Sequence, residues 1–440
     1  MSETPTPSAP IDYGARWRTI VAAGGTTAYI NAQLQAQGVL VERRTAEQLS
    51  PRELETYKRD LKREAEARGK LRRECWHAYR ATHIVHLGDG VFWSDKTDAD
   101  KYDTPNGAER RAEHELPALD TPEQLAEAMK LTVRDLRWLA YHRDAATKIH
   151  YKRFTIPKRG GGERAIWAPM PKLKAAQHWI LRHIVERMPV HGAAHGFLPG
   201  RSIGTNAAAH TGAQLVVKMD IKDFFPTVTL RRVKGLFRRV GYPESVGTLL
   251  ALICTEAPRE VVPHDGQTYY IALGPRCLPQ GAPTSPALTN TLCQKLDRRL
   301  SLMAKRYGWR YTRYADDLTF SLPSGYADDP KIGRLLGRVR RLVADEGFAL
   351  RPDKTVVARS GGRQAVTGLV VNGTGTPRVP RKLRRQLRAA AHNLSHGKPL
   401  KAGESLARLT GYAAYVHMTN PTLGKELLAV FRAEKPPHQA

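Results

Sequence analysis

Hydrophobic residues recur along this chain with two different periods, and the change of period marks where helices give way to strands. From Thr45 to Arg80, Leu49, Leu54, Tyr57 and Leu61, then Leu71, Cys75, Trp76 and Tyr79, form a helical stripe. Acids and bases interleave on the opposite, solvated face. His83 to Trp93 is apolar and broken by glycine, which predicts a short hairpin. Residues 94–114 are polar, with a turn at Pro105-Asn106-Gly107, and read as a linker. Thr121-Pro122 starts a helix, with Thr121 as N-cap, and a second helix is expected over Val133–Tyr141. Strand-like runs follow at Phe154–Pro157, Glu163–Trp167 and Leu215–Met219, with a helix through Leu173–Met188. The mixture predicts an α+β fold rather than a regularly alternating parallel sheet. Residues 1–12 are Ser/Thr/Pro-rich and are expected to be disordered.

Charge adds a direction to this picture. The 440 residues hold 70 Lys+Arg and 42 Asp+Glu, a formal net charge of +28. Residues 1–120 contribute 18 basic and 19 acidic side chains, a net of −1, so residues 121–440 carry 52 and 23, a net of +29. A region so basic calls for a polyanion, and nucleic acid is the usual one. At 41% apolar residues the chain can build a sizeable core, which argues against simple charge-neutralising packaging. No apolar run approaches a membrane span, and the N-terminus lacks the pattern of a secretory signal. The four cysteines are scattered, which fits a reducing cytoplasm. Cys75 with His77, His83 and His86 matches no zinc spacing, so a structural role is expected there.

The candidate chemistry lies in two windows. In Arg310-Tyr-Thr-Arg-Tyr-Ala-Asp-Asp-Leu-Thr-Phe-Ser321, two period-2 runs meet at Asp316-Asp317, predicting a hairpin with adjacent acids at its tip. Such a pair alone often marks only a turn, as expected for Asp328-Asp329 before Pro330. A further acid ends an apolar strand in Gln214-Leu-Val-Val-Lys-Met-Asp-Ile-Lys-Asp-Phe-Phe-Pro226. Two divalent cations about 3.5–4 Å apart, clamping the oxygens of a phosphoryl transfer, need two or three carboxylates from separate elements. Asp220, Asp316 and Asp317 supply that set if the two strands are neighbours, whereas Asp223 reads as a turn residue.

These windows resemble the reverse transcriptases. Tyr314-Ala-Asp-Asp317 is similar to their YxDD box and Met219-Asp-Ile-Lys-Asp-Phe-Phe225 to their first palm block. Leu278-Pro-Gln-Gly-Ala-Pro-Thr-Ser-Pro286 resembles the block between those two. Phe154 to Ile166, followed by Leu173-Lys-Ala-Ala-Gln177, resembles the fingers block. Gly347-Phe-Ala-Leu-Arg-Pro-Asp-Lys354 resembles the block after the YxDD hairpin. Asn206-Ala-Ala-Ala-His210 and Val366-Thr-Gly368 fit the NAxxH and VTG patterns of retron enzymes.

The resemblance implies a right-hand polymerase: fingers and palm over residues 115–375, the palm with an antiparallel sheet, and a basic helical thumb over 376–440. A mostly helical N-terminal extension, residues 1–114, precedes it. It implies catalytic acids Asp220, Asp316 and Asp317 holding two Mg²⁺ ions, or Mn²⁺, with the Ile221 carbonyl as an extra oxygen. Phe225 falls where the family excludes a ribose 2′-OH, and Gln280-Gly281 where its backbone nears the nucleotide. Lys158 and Arg164 flank a glycine tip and are expected to close on the triphosphate. Lys354 is expected to stabilise or protonate the leaving pyrophosphate. Asn206 and His210 are expected either to contact partner RNA or to brace the fold, and Thr367 to contact RNA. Thr376–Lys401 holds eight Lys/Arg and no acid, and Arg381, Arg384, Arg385 and Arg388 are expected to track a duplex.

The implied partners are dNTPs, an RNA–DNA duplex, an effector protein and a structured non-coding RNA serving as template and primer, in the cytoplasm, without a membrane. The implied product is a branched RNA–DNA used in defence against phage. The alternatives are an intron-encoded or diversity-generating reverse transcriptase, or an RNA-binding scaffold with a dead palm. The absence of a His/Cys-rich or RNase H-like extension weakens the intron reading. The intact acids, Phe225 and Gln280 speak against the scaffold.

Overall fold

Capping side chains set several helix starts in the computed structural model, which describes residues 12–45, 49–91, 103–157, 161–325, 331–373 and 375–433. The helices are α1 (Tyr13–Ala22), α2 (Thr26–Ala36), α3 (Pro51–Thr82), α4 (Gly107–Glu113), α5 (Pro122–Ala128), α6 (Val133–Ala140), α7 (Pro171–His183) and α8 (Ile203–Ala208). They continue as α9 (Leu230–Arg239), α10 (Glu244–Cys254), α11 (Ser285–Leu292), α12 (Gln294–Arg306), α13 (Ile332–Asp345), α14 (Arg381–Ser395), α15 (Leu406–His417) and α16 (Pro421–Ala433). The strands are β1 (Ala145–Ala146), β2 (Tyr151–Pro157), β3 (Glu163–Pro169), β4 (Ala213–Lys222), β5 (Arg259–His264) and β6 (Gln267–Ala272). After them come β7 (Arg310–Tyr314), β8 (Asp317–Pro323), β9 (Ala349–Arg359), β10 (Ala365–Val366) and β11 (Leu369–Val370). Ser50, Thr121 and Thr132 each sit three residues before a side chain that returns the bond to the cap N–H, satisfying donors the helix leaves open.

Contacts divide the chain into two units. The first gathers the described residues up to His150 with Phe237–Ile253 and Arg259–Leu273. Here α1 and α2, which the sequence pattern did not announce, bury Ile20, Ile30 and Leu34 against Leu71, Cys75 and Ala78 of α3. The hairpin expected over His83–Trp93 does not form within the described residues. Gly88 instead makes a parallel bridge to His142, at a φ of 104° and so close that a Cβ would collide with the His142 carbonyl. The expected linker also differs: part of it is α4. Gly107 lies against the Gly241 backbone, and buried Arg111 donates to Gly241 O and to Asp120. Of the disorder expected over residues 1–12, all but Asp12, which caps α1, lies outside the described residues, as does the Asp328-Asp329 turn.

The second unit contains Tyr151–Leu236, Cys254–Pro258 and the chain from Gly274. Its main sheet is antiparallel in the order β7-β8-β4-β9. β4 and β8 are buried along nearly their whole length; β4 accordingly reads as an apolar run, whereas β8 keeps polar Thr319 and Ser321 between its apolar residues. The outer edge of β7 is covered by residues 193–195: Arg313 N–H donates to Ala193 O and His195 N–H to Arg313 O, each at 2.8 Å. β2 and β3 form a separate, largely exposed hairpin. At the C-terminal end, Leu387, Leu409, Val416, Leu427 and Phe431 of α14–α16 share a core with Val366 and Leu369.

Candidate active site

Register brings the three acids together. Asp220, near the end of β4, lies directly opposite Asp317, the first residue of β8. Tyr314 pairs with Asp317, so Ala315 and Asp316 form the two-residue turn of the hairpin. The adjacent acids thus split between turn and strand rather than both occupying the tip. Ala315 takes a φ of 54°, a left-handed conformation that costs a residue with a Cβ about 1 kcal/mol or more. The Ile221 N–H donates to Asp316 O at 2.9 Å, which ties the turn to β4.

On the other side of β4, the ladder with β9 is interrupted. Lys218 pairs with Val356 but Asp220 pairs with Arg351, so residues 352–355 have no ladder partner. Pro352, which cannot donate, lies in this bulge. The bulge aims Lys354 across the sheet, and its Nζ lies 2.8 Å from Asp220 Oδ2. Burial pushes the Asp316 carboxyl up to about 6, and the charges of Asp317 and Asp220 add to this, opposed by its own backbone N–H and by Lys354. Asp317 also shifts upward, through burial and the Asp220 charge, against Lys218 and Lys354. Three acids therefore share a partly desolvated site that is short of positive charge.

What holds the turn was not singled out from the sequence. Arg313, fully buried, places its guanidinium on both oxygens of fully buried Asp297 at 2.7–3.1 Å. Its Nη1 reaches Asn290 Oδ1 at 3.0 Å and Ala315 O at 3.2 Å, and Tyr311 OH donates to Asp297 at 2.8 Å. The period-2 alternation already placed Arg313 on one face with Tyr311. It gave no sign that Asp297 on α12 would meet them.

The segment before β4 braces the same hairpin. Asn206 and His210 are fully buried, so the geometry supports the bracing alternative rather than the RNA contact expected of them. Thr312 Oγ1 donates to Asn206 Oδ1 at 2.6 Å. Its hydrogen is thereby committed, so it accepts from His210 Nε2–H at 2.7 Å. His210 Nδ1 is then an acceptor, and the Ser321 hydroxyl donates to it at 2.7 Å. One neutral imidazole thus links the segment after α8 to both β7 and β8. Thr367 and Gly368, with φ of 45° and 87°, form the tight turn between β10 and β11. The Thr367 hydroxyl donates to Ile203 O of α8 at 3.0 Å.

The remaining expected site residues lie in different settings. Gly281, at φ 124°, lies so close to β3 that a Cβ would stand 2.6 Å from Trp167 O. Gln280 O accepts from Trp167 N–H at 2.7 Å. The close approach of Gly281 is thus to backbone of β3. Phe225 is half-buried, whereas Phe224 is buried against Phe348. Arg164 is exposed on β3, and Lys158 lies outside the described residues. On α14, Arg381, Arg385 and Arg388 are exposed and share a helical face, Arg384 is half-buried, and Leu387 faces the core.

An acid pair at a strand turn, facing a third acid on the neighbouring strand, is the arrangement of a nucleotide polymerase, and residues 156–384 match the family described as "Reverse transcriptase (RNA-dependent DNA polymerase)". The Retron Mx162 reverse transcriptase of Myxococcus xanthus is 52% identical over 94% of this chain and 87% of its own length. The Retron Mx65 reverse transcriptase of the same organism is 44% identical over 72% of each chain. A solved telomerase from Candida albicans shares 12% identity, with a TM-score of 0.37, over 66% of this chain and 55% of that one. This chain belongs to the retron reverse transcriptases, which synthesise DNA on an RNA template. Among the described residues no helix is long and apolar enough to cross a membrane.

Proposed function

We propose that the chain copies a structured partner RNA from a 2′-OH within it, giving a branched RNA–DNA, and that this product serves with an effector protein in cytoplasmic defence against phage. The observation that carries the catalytic part is the register that sets Asp220 opposite Asp317 with Asp316 in the adjoining turn. In this reading β7-β8-β4-β9 is the palm, β2–β3 belongs to the fingers, and α14–α16 form the thumb. Residues 1–114 are an accessory extension.

The acids suit a hard divalent cation in donor type and in charge. They offer oxygen only, and burial with mutual repulsion already raises Asp316 to about 6. The described residues hold no ready-made group of three or more His, Cys, Asp or Glu around a metal position. The Lys354 ammonium occupies Asp220 instead. Asp220, Asp316, Asp317 and the Ile221 carbonyl would hold two Mg²⁺ ions, or Mn²⁺, which when bound supply charge stabilisation to the attacking and leaving oxygens.

The other roles rest on the chain's own side chains. Phe225 borders the sugar and excludes a 2′-OH. Gln280-Gly281 supports the nucleotide from the β3 side. Lys158 and Arg164 close on the triphosphate. Lys354 leaves Asp220 and meets the pyrophosphate. Arg381, Arg384, Arg385, Arg388 and Thr367 contact nucleic acid, and Asn206 and His210 serve it through the hairpin they brace.

The test is primer extension on RNA with dNTPs and Mg²⁺. Asp316→Asn and Asp317→Asn should each lower the rate by at least about a hundredfold, with nucleic-acid binding retained. Equal activity in variants and wild type would sink the catalytic assignment. Recovery from cells of an unbranched product alone would remove the 2′-OH priming.

A further inference from the structure

The first unit carries a feature that polymerase chemistry does not use. Trp76 and Tyr79 on the second half of α3, with His83 just past its end, form a column of rings. Trp76 and Tyr79 lie 5.8 Å apart with planes 18° from parallel, and Tyr79 and His83 are 4.2 Å apart at 12°. Trp17 of α1 meets Tyr79 and His83 edge-on at 5.1 and 5.2 Å. The Thr82 hydroxyl lies 2.8 Å from His83 Nδ1. The inner end of the column is thus fixed against α1. At the other end, Trp76 remains 48% exposed.

The charge around it is also uneven. Residues 51–66 of α3 hold five bases (Arg52, Lys58, Arg59, Lys62, Arg63) and five acids (Glu53, Glu55, Asp60, Glu64, Glu66). Residues 67–82 hold five bases (Arg68, Lys70, Arg72, Arg73, Arg80) and one acid, Glu74. That acid is occupied by Arg16 at 2.9 Å. Arg72, Arg73 and Arg80 are exposed. Arg72 and Arg80 lie one helical turn either side of Trp76, on its face, about 12 Å apart along the axis.

We propose that this surface is a binding site for unpaired RNA, a base stacking on the outer face of Trp76 and Arg72, Arg73 and Arg80 receiving the flanking phosphates. A π column ending in an exposed indole, flanked by exposed arginines with no ion pair among the described residues, combines the two elements of single-strand recognition. An acidic or apolar protein surface would leave the indole face or the arginines without a match. RNA is chosen over DNA because the family's template is RNA. The inference rests on that family membership and not on the proposed roles at the catalytic centre.

The probe is a single-stranded oligouridine of about ten nucleotides carrying one 4-thiouridine, photocrosslinked to the full-length chain and mapped by mass spectrometry. Crosslinks are expected on Trp76 or Tyr79. Trp76→Ala should reduce them at least about tenfold and Trp76→Phe less than about threefold, because a smaller ring still stacks. Arg73→Gln with Arg80→Gln should reduce them without disturbing the column. Primer extension on a simple homopolymer template should be unchanged in all of these variants, which separates failure here from failure of the polymerase reading. Absence of crosslinks on α3, or crosslinks equal in Trp76→Ala and wild type, would overturn the proposal and leave the surface to a protein. Stronger crosslinking of the matching DNA oligomer would overturn the choice of RNA.

Discussion

Arg313 is fully buried in the second unit, and its charge is met by Asp297, Asn290 and the Ala315 carbonyl. Such a pair adds little net stability, because both ions are taken out of water, but it is costly to break. Arg313→Met leaves the Asp297 carboxylate buried without its partner, and the Ala315 turn loses the donor holding its carbonyl. The expected loss is about 3–5 kcal/mol of unfolding free energy, read by urea denaturation. Asp297→Asn should cost a similar amount, and the double variant clearly less than the sum. Additive losses would show that the two side chains do not act as a unit. Because Asp316 follows Ala315 directly, Arg313→Met should also lower the extension rate under conditions where the variant is still folded. The acids themselves were legible in the sequence, since a carboxylate pair inside alternating apolar runs has few structural explanations. The Arg313–Asp297 pair was not, because its partners come from β7 and α12 and no local period links them.

At the scale of elements, one neutral imidazole, His210 just after α8, joins the segment before β4 to the β7–β8 hairpin. Burial pushes His210 down to about 3, with the charges of His195 and Arg310 acting the same way. Burial and then Arg201 lower His195 to about 4. In the unfolded chain both histidines titrate near 6.5. Below that pH the unfolded state takes up protons that the folded state refuses. Their contribution is therefore complete above about 6.5 and declines as pH falls toward 4 for His195 and toward 3 for His210. Urea midpoints between about pH 7.5 and 4.5 should fall more steeply for wild type than for His210→Gln, which has no proton to gain. Parallel slopes would show that His210 is not held neutral. The same scale shows what sequence pattern conveys and what it omits. β4 was readable because burial on both faces demands a continuous apolar run, β8 because Leu318, Phe320 and Leu322 alternate with polar residues, and α14 because Leu383 and Leu387 stand one turn apart among bases. The bulge of β9 was not, since residues 352–355 differ from a regular strand only by Pro352, and it is this bulge that brings Lys354 to Asp220. The hairpin expected at His83–Trp93 misled because apolar residues broken by glycine also describe a single extended segment bridging to His142.

For the whole molecule, the net charge of +28 matters less than where it is concentrated. Residues 1–120 sum to −1, yet α3 is neutral in its first half and +4 in its second, and Thr376–Lys401 holds eight bases and no acid. If general attraction to a polyanion governed binding, removing any three surface cations would have the same effect. If individual arginines displace counterions from phosphates, location decides it. Arg381→Gln/Arg385→Gln/Arg388→Gln removes three charges from one exposed face of α14. Arg59→Gln/Lys62→Gln/Arg63→Gln removes three from the exposed, acid-matched half of α3. Both variants lower the net charge to +25, that is 28 minus 3. Affinity for an RNA–DNA duplex, measured from about 50 to 300 mM salt, should fall for the α14 variant at every sequence tested. Its log–log slope should flatten by about 2–3, one increment near 0.7–0.9 for each lost phosphate contact. The α3 variant should keep the wild-type slope. Equal flattening in the two would show that the duplex senses only the summed field, and the assignment of α14 to duplex tracking would then fail.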